Sequence, residues 1–96
     1  MKREILYRMK RISERLKEKY DANTVILFGS YARGEETEDS DIDLLVIAPS
    51  KEPFFDRIAS AKRLIRDLRD GLPVAPIVLT PEEAEKRRHK GNHPPL

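Results

Sequence analysis

The chain has no cysteine and no tryptophan, only four glycines, and no apolar run that approaches a membrane helix. Without cysteine there can be no disulfide and no thiolate metal site, and a reducing compartment is the default. A membrane-spanning helix needs roughly 20 consecutive apolar residues. The N-terminal stretch "MKREILYRMK" is charged, unlike a signal peptide, so a cytoplasmic protein is expected. Charge of a single sign is missing as well. Nineteen Lys and Arg stand against seventeen Asp and Glu, a net of +2, which is too balanced to argue for nucleic acid as a partner. The 96 residues, 39% of them hydrophobic, predict one domain, 1–96, with a small core.

What is present is a clear alternation of periodicities. Ile5, Met9, Ile12, Leu16 and Tyr20 recur at helical spacing with charged residues between them, which predicts an amphipathic helix over 2–20. "TVILF" at 24–28 and "IDLLVIA" at 42–48 read as buried strands. Pro53 opens a second helix whose stripe is Phe54, Ile58, Ala61, Ile65 and Leu68, with Gly71 at its close. A third strand, "VAPIVL" at 74–79, carries Pro76, which cannot donate to a ladder and so predicts a sheet edge. In "TPEE", Thr80 and Glu83 have the spacing of a capping box for a short last helix that ends before Gly91. The expected class is α+β, a small mixed sheet flanked by helices.

The unusual chemistry lies in the 29–41 connection, "GSYARGEETEDSD". Gly29 lets a backbone approach a ligand closely, and the amides after it, with the Ser30 hydroxyl, can donate to phosphate oxygens. A Gly-Ser pair alone is ordinary turn chemistry. Downstream, Glu35, Glu36, Glu38, Asp39, Asp41 and Asp43 concentrate negative charge that solvent or a cation must relieve. Asp41 and Asp43 stand two apart at the head of a strand, so both carboxylates project to one face and offer the hard oxygen ligands that suit Mg²⁺. A calcium loop is excluded, because Leu44 stands where that loop needs glycine and Ser50 where it needs a glutamate. Gly-Ser, ten residues, then Asp-x-Asp arises by chance in a chain this long about one time in a thousand.

"GSYARG" followed by "DSDIDLLV" resembles the minimal nucleotidyltransferases of the DNA polymerase β superfamily, and the resemblance runs from the first helix through "VLTPEE". It implies a nucleotidyltransferase fold in which Gly29, Ser30 and Arg33 bind nucleotide phosphates while Asp41 and Asp43 are the catalytic metal ligands. The implied cofactor is Mg²⁺, two ions, with ATP as substrate; the implied reaction transfers AMP to an acceptor hydroxyl. Small members of the family often act as antitoxins, adding AMP to a HEPN-domain toxin, and such a partner protein is the expected acceptor here.

One departure bears on activity. The superfamily's third carboxylate belongs on the strand that follows, where alignment puts Ala75, and no Asp or Glu occurs between Asp70 and Glu82. Two readings therefore stand side by side: an ATP-using transferase, and a nucleotide-binding antitoxin or scaffold without transfer chemistry. An RNA-binding module would need basic residues interleaved with aromatics, whereas this loop is acidic. His89 and His93 could pair on a metal, but Gly91 between them speaks for a solvated tail.

Overall fold

The computed structural model of the chain describes residues 1–90. Helix α1 (Arg3–Lys19) is followed by strand β1 (Thr24–Phe28), the single-turn helix α2 (Gly29–Arg33) and strand β2 (Ile42–Ile47). Then come helix α3 (Phe54–Arg69), strand β3 (Val74–Leu79) and helix α4 (Pro81–Lys90). The sheet has the order β1-β2-β3. β1 and β2 run antiparallel and β2 and β3 parallel, so the fold is α+β around a small mixed sheet. α3 is the crossover that parallel neighbours require. The predicted tail after Gly91, and the pairing of His89 with His93, lie outside the described residues.

The helical stripes do what their spacing predicts. Ile12 and Leu16 of α1 and Ala61 and Ile65 of α3 have no exposed surface, and the two helices pack on each other. Beneath them lie Ile42, Leu44 and Val46 of β2 with Val74 and Val78 of β3, all buried in one core cluster. Removing each large member from water contributes about 1.5–3 kcal/mol. α3 ends at Arg69 and is capped by Asp70, already left-handed at φ 40°; Gly71 follows, also left-handed, at φ 85°. Pro76 is buried on β3, which is an edge strand, where a residue without an N–H is tolerated. The capping box forms, with the Thr80 amide donating to Glu83 Oε1 at 2.9 Å and the Glu83 amide to Thr80 Oγ1 at 3.3 Å.

Alternation leaves the other face of the sheet to nine residues in three registered rows. Phe28, Asp43 and Ala75 form the first row; Ile26, Leu45 and Ile77 the second; Thr24, Ile47 and Leu79 the third. None of the nine belongs to the core cluster, and all but the buried Leu79 are only half-buried. Seven of them are apolar, so this face has the composition of a core, but among the described residues α1 and α3 cover only the other face. No helix among the described residues is long and apolar enough to cross a membrane.

Candidate active site

β1 delivers the chain to the site and α2 turns it. Gly29 follows Phe28 directly and has φ +75°, a left-handed conformation that glycine adopts without strain. Its missing side chain is also needed as space. A Cβ built there would overlap Oδ2 of Asp43 and stand 3.1 Å from its Cγ. The Asp43 carboxylate is therefore seated against the glycine backbone, at the place where α2 begins. α2 then closes on Gly34, left-handed at φ 71°, and the Glu35 amide donates to the Ser30 carbonyl at 2.9 Å. The first-turn amides of α2 have no acceptor within the helix, and among the described residues the Ser30 hydroxyl has no hydrogen-bond partner.

β2 positions the two aspartates. Asp41 is the exposed residue immediately before the strand, and Asp43 is its second residue, half-buried. Ile42 between them is fully buried on the helix-covered side, and its amide donates to the Pro73 carbonyl at 2.7 Å. That bond fixes the start of β2 against the start of β3. The register then sets Ala75 beside Asp43, on the same face of the sheet.

The acidic connection is partly neutralised from within the chain. Arg33 Nε donates to Glu35 Oε1 at 3.2 Å, both side chains well exposed, and the terminal ammonium of Met1 lies 3.7 Å from Glu36 Oε2. A turn pins the middle of the loop: the Thr37 amide donates to Ser40 Oγ at 2.8 Å, and the Ser40 amide to the Thr37 carbonyl at 3.1 Å. Among the described residues, the side-chain carboxylates of Asp41 and Asp43 have no ion-pair or hydrogen-bond partner. A half-buried carboxylate with no partner is unfavourable unless a cation or a donor reaches it. The donor set consists of hard oxygens, and Gly29 gives the Asp43 carboxylate room against the start of α2. These residues fit an ion such as Mg²⁺ that keeps waters and takes its other ligands from phosphate.

Glu82 and Glu83, the next carboxylates after Ala75, belong to the opposite end of β3. Glu83 is committed elsewhere. Arg57, a buried residue of α3, donates through Nη1 to Glu83 Oε1 at 2.6 Å and through Nη2 to Oε2 at 3.3 Å. It also donates to the carbonyls of Glu52 and Val78. The Arg57 guanidinium, with the Thr80 amide, holds the Glu83 carboxyl below the usual carboxylate range. Arg57 was not singled out from the sequence. Its signal was there: at steps of four it shares the buried stripe of Ala61 and Ile65, and a cation on an apolar stripe needs a partner.

A family model described as "Nucleotidyltransferase domain" matches residues 9–93. The chain is similar to several proteins of Methanocaldococcus jannaschii. "Putative protein adenylyltransferase MJ1379" is 57% identical over 44 residues, 46% of this chain and 41% of that protein. "Putative protein adenylyltransferase MJ1305" is 37% identical over 78 residues, covering 73% and 51%. "Putative protein adenylyltransferase MJ0141" is 39% identical over 70 residues, covering 72% and 69%. For the first two of these, the match spans about two fifths and one half of the relative's own length. No solved structure matches the chain.

Proposed function

The chain belongs to the nucleotidyltransferase domain family, and from that premise we propose that it is a one-domain, cytoplasmic, Mg²⁺-dependent transferase that moves AMP from ATP to a hydroxyl of a partner protein. A bond forms between the acceptor oxygen and the α-phosphorus, the bond from that phosphorus to the bridging oxygen of the β-phosphate breaks, pyrophosphate leaves, and the hydroxyl proton passes to solvent. The observation that carries this reading is the unpartnered Asp43 carboxylate, seated against Gly29 at the start of α2. In this reading Asp41 and Asp43 hold the ion; Ser30 and the amides after Gly29 hold the triphosphate, and Arg33 exchanges Glu35 for a phosphate oxygen. The ion, when bound, offsets charge developing on the transferred group and lowers the pKa of the acceptor hydroxyl.

Two observations support a protein as acceptor. The relatives' printed names say protein adenylyltransferase. The second face of the sheet begins at Asp43 and continues as the apolar rows of Leu45 and Ile47. A strand with a nearly continuous apolar run is normally covered on both faces. A partner seated on the uncovered rows would carry its hydroxyl to the row that holds Asp43. Resemblance to the minimal nucleotidyltransferases supports a HEPN-domain toxin in that role, with this chain as its antitoxin.

Ala75 favours a second reading, a nucleotide-binding antitoxin without transfer chemistry, because the residue beside Asp43 brings no carboxylate. One experiment separates the two. The chain is incubated with Mg²⁺, ATP labelled on the α-phosphate and the product of its neighbouring gene, and the partner is analysed by mass spectrometry. Label on a partner hydroxyl, lost in Asp43→Asn, supports transfer; a stable complex whose partner stays unlabelled supports the second reading.

A further inference from the structure

The family's two-ion arrangement asks for more carboxylate than this site offers. On one side of Asp43 stand Phe28 and then Gly29, which bring amides and the Ser30 hydroxyl but no charge. On the other side stands Ala75, whose methyl shares the face of Asp43. Beyond Ala75 the next carboxylates are Glu82 and Glu83, past the far end of β3; the four steps from Ala75 to Leu79 alone span about 13 Å at about 3.3 Å each. Glu83 is held there by Arg57 and the Thr80 amide. In the loop, Glu35 pairs with Arg33 and Glu36 with the terminal ammonium. Among the described residues no three carboxylate or imidazole groups gather where they could hold a metal.

We infer that this chain alone holds one divalent ion at Asp41 and Asp43, brought with the nucleotide, and that its second metal position lacks a protein ligand because residue 75 is alanine. The inference rests on the nucleotidyltransferase reading for the nucleotide that accompanies the ion. Two divalent cations at the roughly 3.5–4 Å of a two-metal site repel each other, and anionic ligands shared between them offset that repulsion. With two carboxylates the balance favours one ion; a third at position 75 would shift it to two.

The probe is Mn²⁺ with α,β-methylene-ATP, which cannot release pyrophosphate. Unbound Mn²⁺ is counted by electron paramagnetic resonance against a nucleotide-only control, and the folded state of each variant is checked by circular dichroism. The wild-type complex is expected to retain one Mn²⁺ per chain and Ala75→Asp two. Two ions in the wild type overturn the inference and leave the nucleotidyltransferase reading standing. No ion and no nucleotide retained by the wild type overturns both. A folded Ala75→Asp that still retains one ion also overturns it, since residue 75 then does not serve the site. If Ala75→Asp does not fold, the wild-type count decides alone.

Discussion

Gly29→Ala tests whether the seat of Asp43 is as tight as its geometry, and Gly34→Ala is a built-in control. Both glycines are left-handed, at φ +75° and +71°, and both bound α2. A Cβ at Gly34 meets nothing within 4 Å, whereas one at Gly29 overlaps the Asp43 carboxylate. A left-handed alanine costs about 1–2 kcal/mol, offset in part by the roughly 0.4–1 kcal/mol gained from a stiffer unfolded chain. Gly34→Ala is therefore expected to lose about 1 kcal/mol, a fall in Tm of about 4–8 °C for a domain of this size. Gly29→Ala adds the displacement of Asp43, about 0.5–1.5 kcal/mol for a side chain driven off its rotamer. It should melt several degrees below Gly34→Ala and lose most of the stabilisation given by Mg²⁺ with ATP, which Gly34→Ala should keep. Differential scanning fluorimetry with and without nucleotide reads both quantities. Adding Asp43→Ala to Gly29→Ala removes the collision, so the pair should show a coupling energy of about 0.5–1.5 kcal/mol in a double-mutant cycle. If Gly29→Ala matches Gly34→Ala in Tm and keeps the full nucleotide shift, Asp43 does not lean on Gly29.

Glu83→Gln should leave nucleotide binding intact, because Glu83 serves Arg57 and the helix cap at the far end of the sheet. It should destabilise by about 1–3 kcal/mol, below the 3–5 kcal/mol for breaking a fully buried pair, because the Glu83 side chain is 41% exposed. The depressed Glu83 pKa also sets a pH window: the pair's contribution is full above the ordinary value of 4.5 and lost as pH falls through the lower folded value. Urea titrations should accordingly show a shallower acid loss of stability in Glu83→Gln than in the wild type. Neighbours on β3 should differ by face: Val78→Asn, in the core, should destabilise by more than about 2 kcal/mol, and Ile77→Asn by under about 1 kcal/mol. Ile12→Ala, fully buried in α1, should lower the urea midpoint by the equivalent of about 2–5 kcal/mol.

Much of this fold was legible because each element carried its own punctuation. The stripe from Ile5 to Leu16 and the Thr80–Glu83 box are local signals, and both formed as their spacing required. Pro76 gave the sheet edge through its missing donor. Gly29 and Asp43 were legible as types; that one makes room for the other depends on pairing Phe28 with Asp43, a long-range register no local pattern contains. Ala75 was legible through the resemblance, which aligns it with the third carboxylate, and the parallel pairing sets it beside Asp43. Arg57 was passed over for its residue type despite its spacing from Ala61 and Ile65, since an arginine in a charged helix reads as solvated until a carboxylate from a distant element closes on it. The uncovered face was obscured for the opposite reason. "DLLVI" is apolar at both parities, and only the packing of α1 and α3 tells which parity the chain covers itself.

The proposed transfer requires Asp41 and Asp43 to hold a divalent ion together with ATP. Its most direct measurement is the melting temperature of the wild type and of Asp41→Asn/Asp43→Asn, each with Mg²⁺ and ATP, with ATP alone and with neither. At ligand a hundredfold above Kd the wild type should gain about 2.7 kcal/mol, equivalent to roughly 10–20 °C for a chain of this size. That gain should need both Mg²⁺ and ATP and should vanish in the double variant. An equal shift in the double variant, or a full shift with ATP alone, would contradict it.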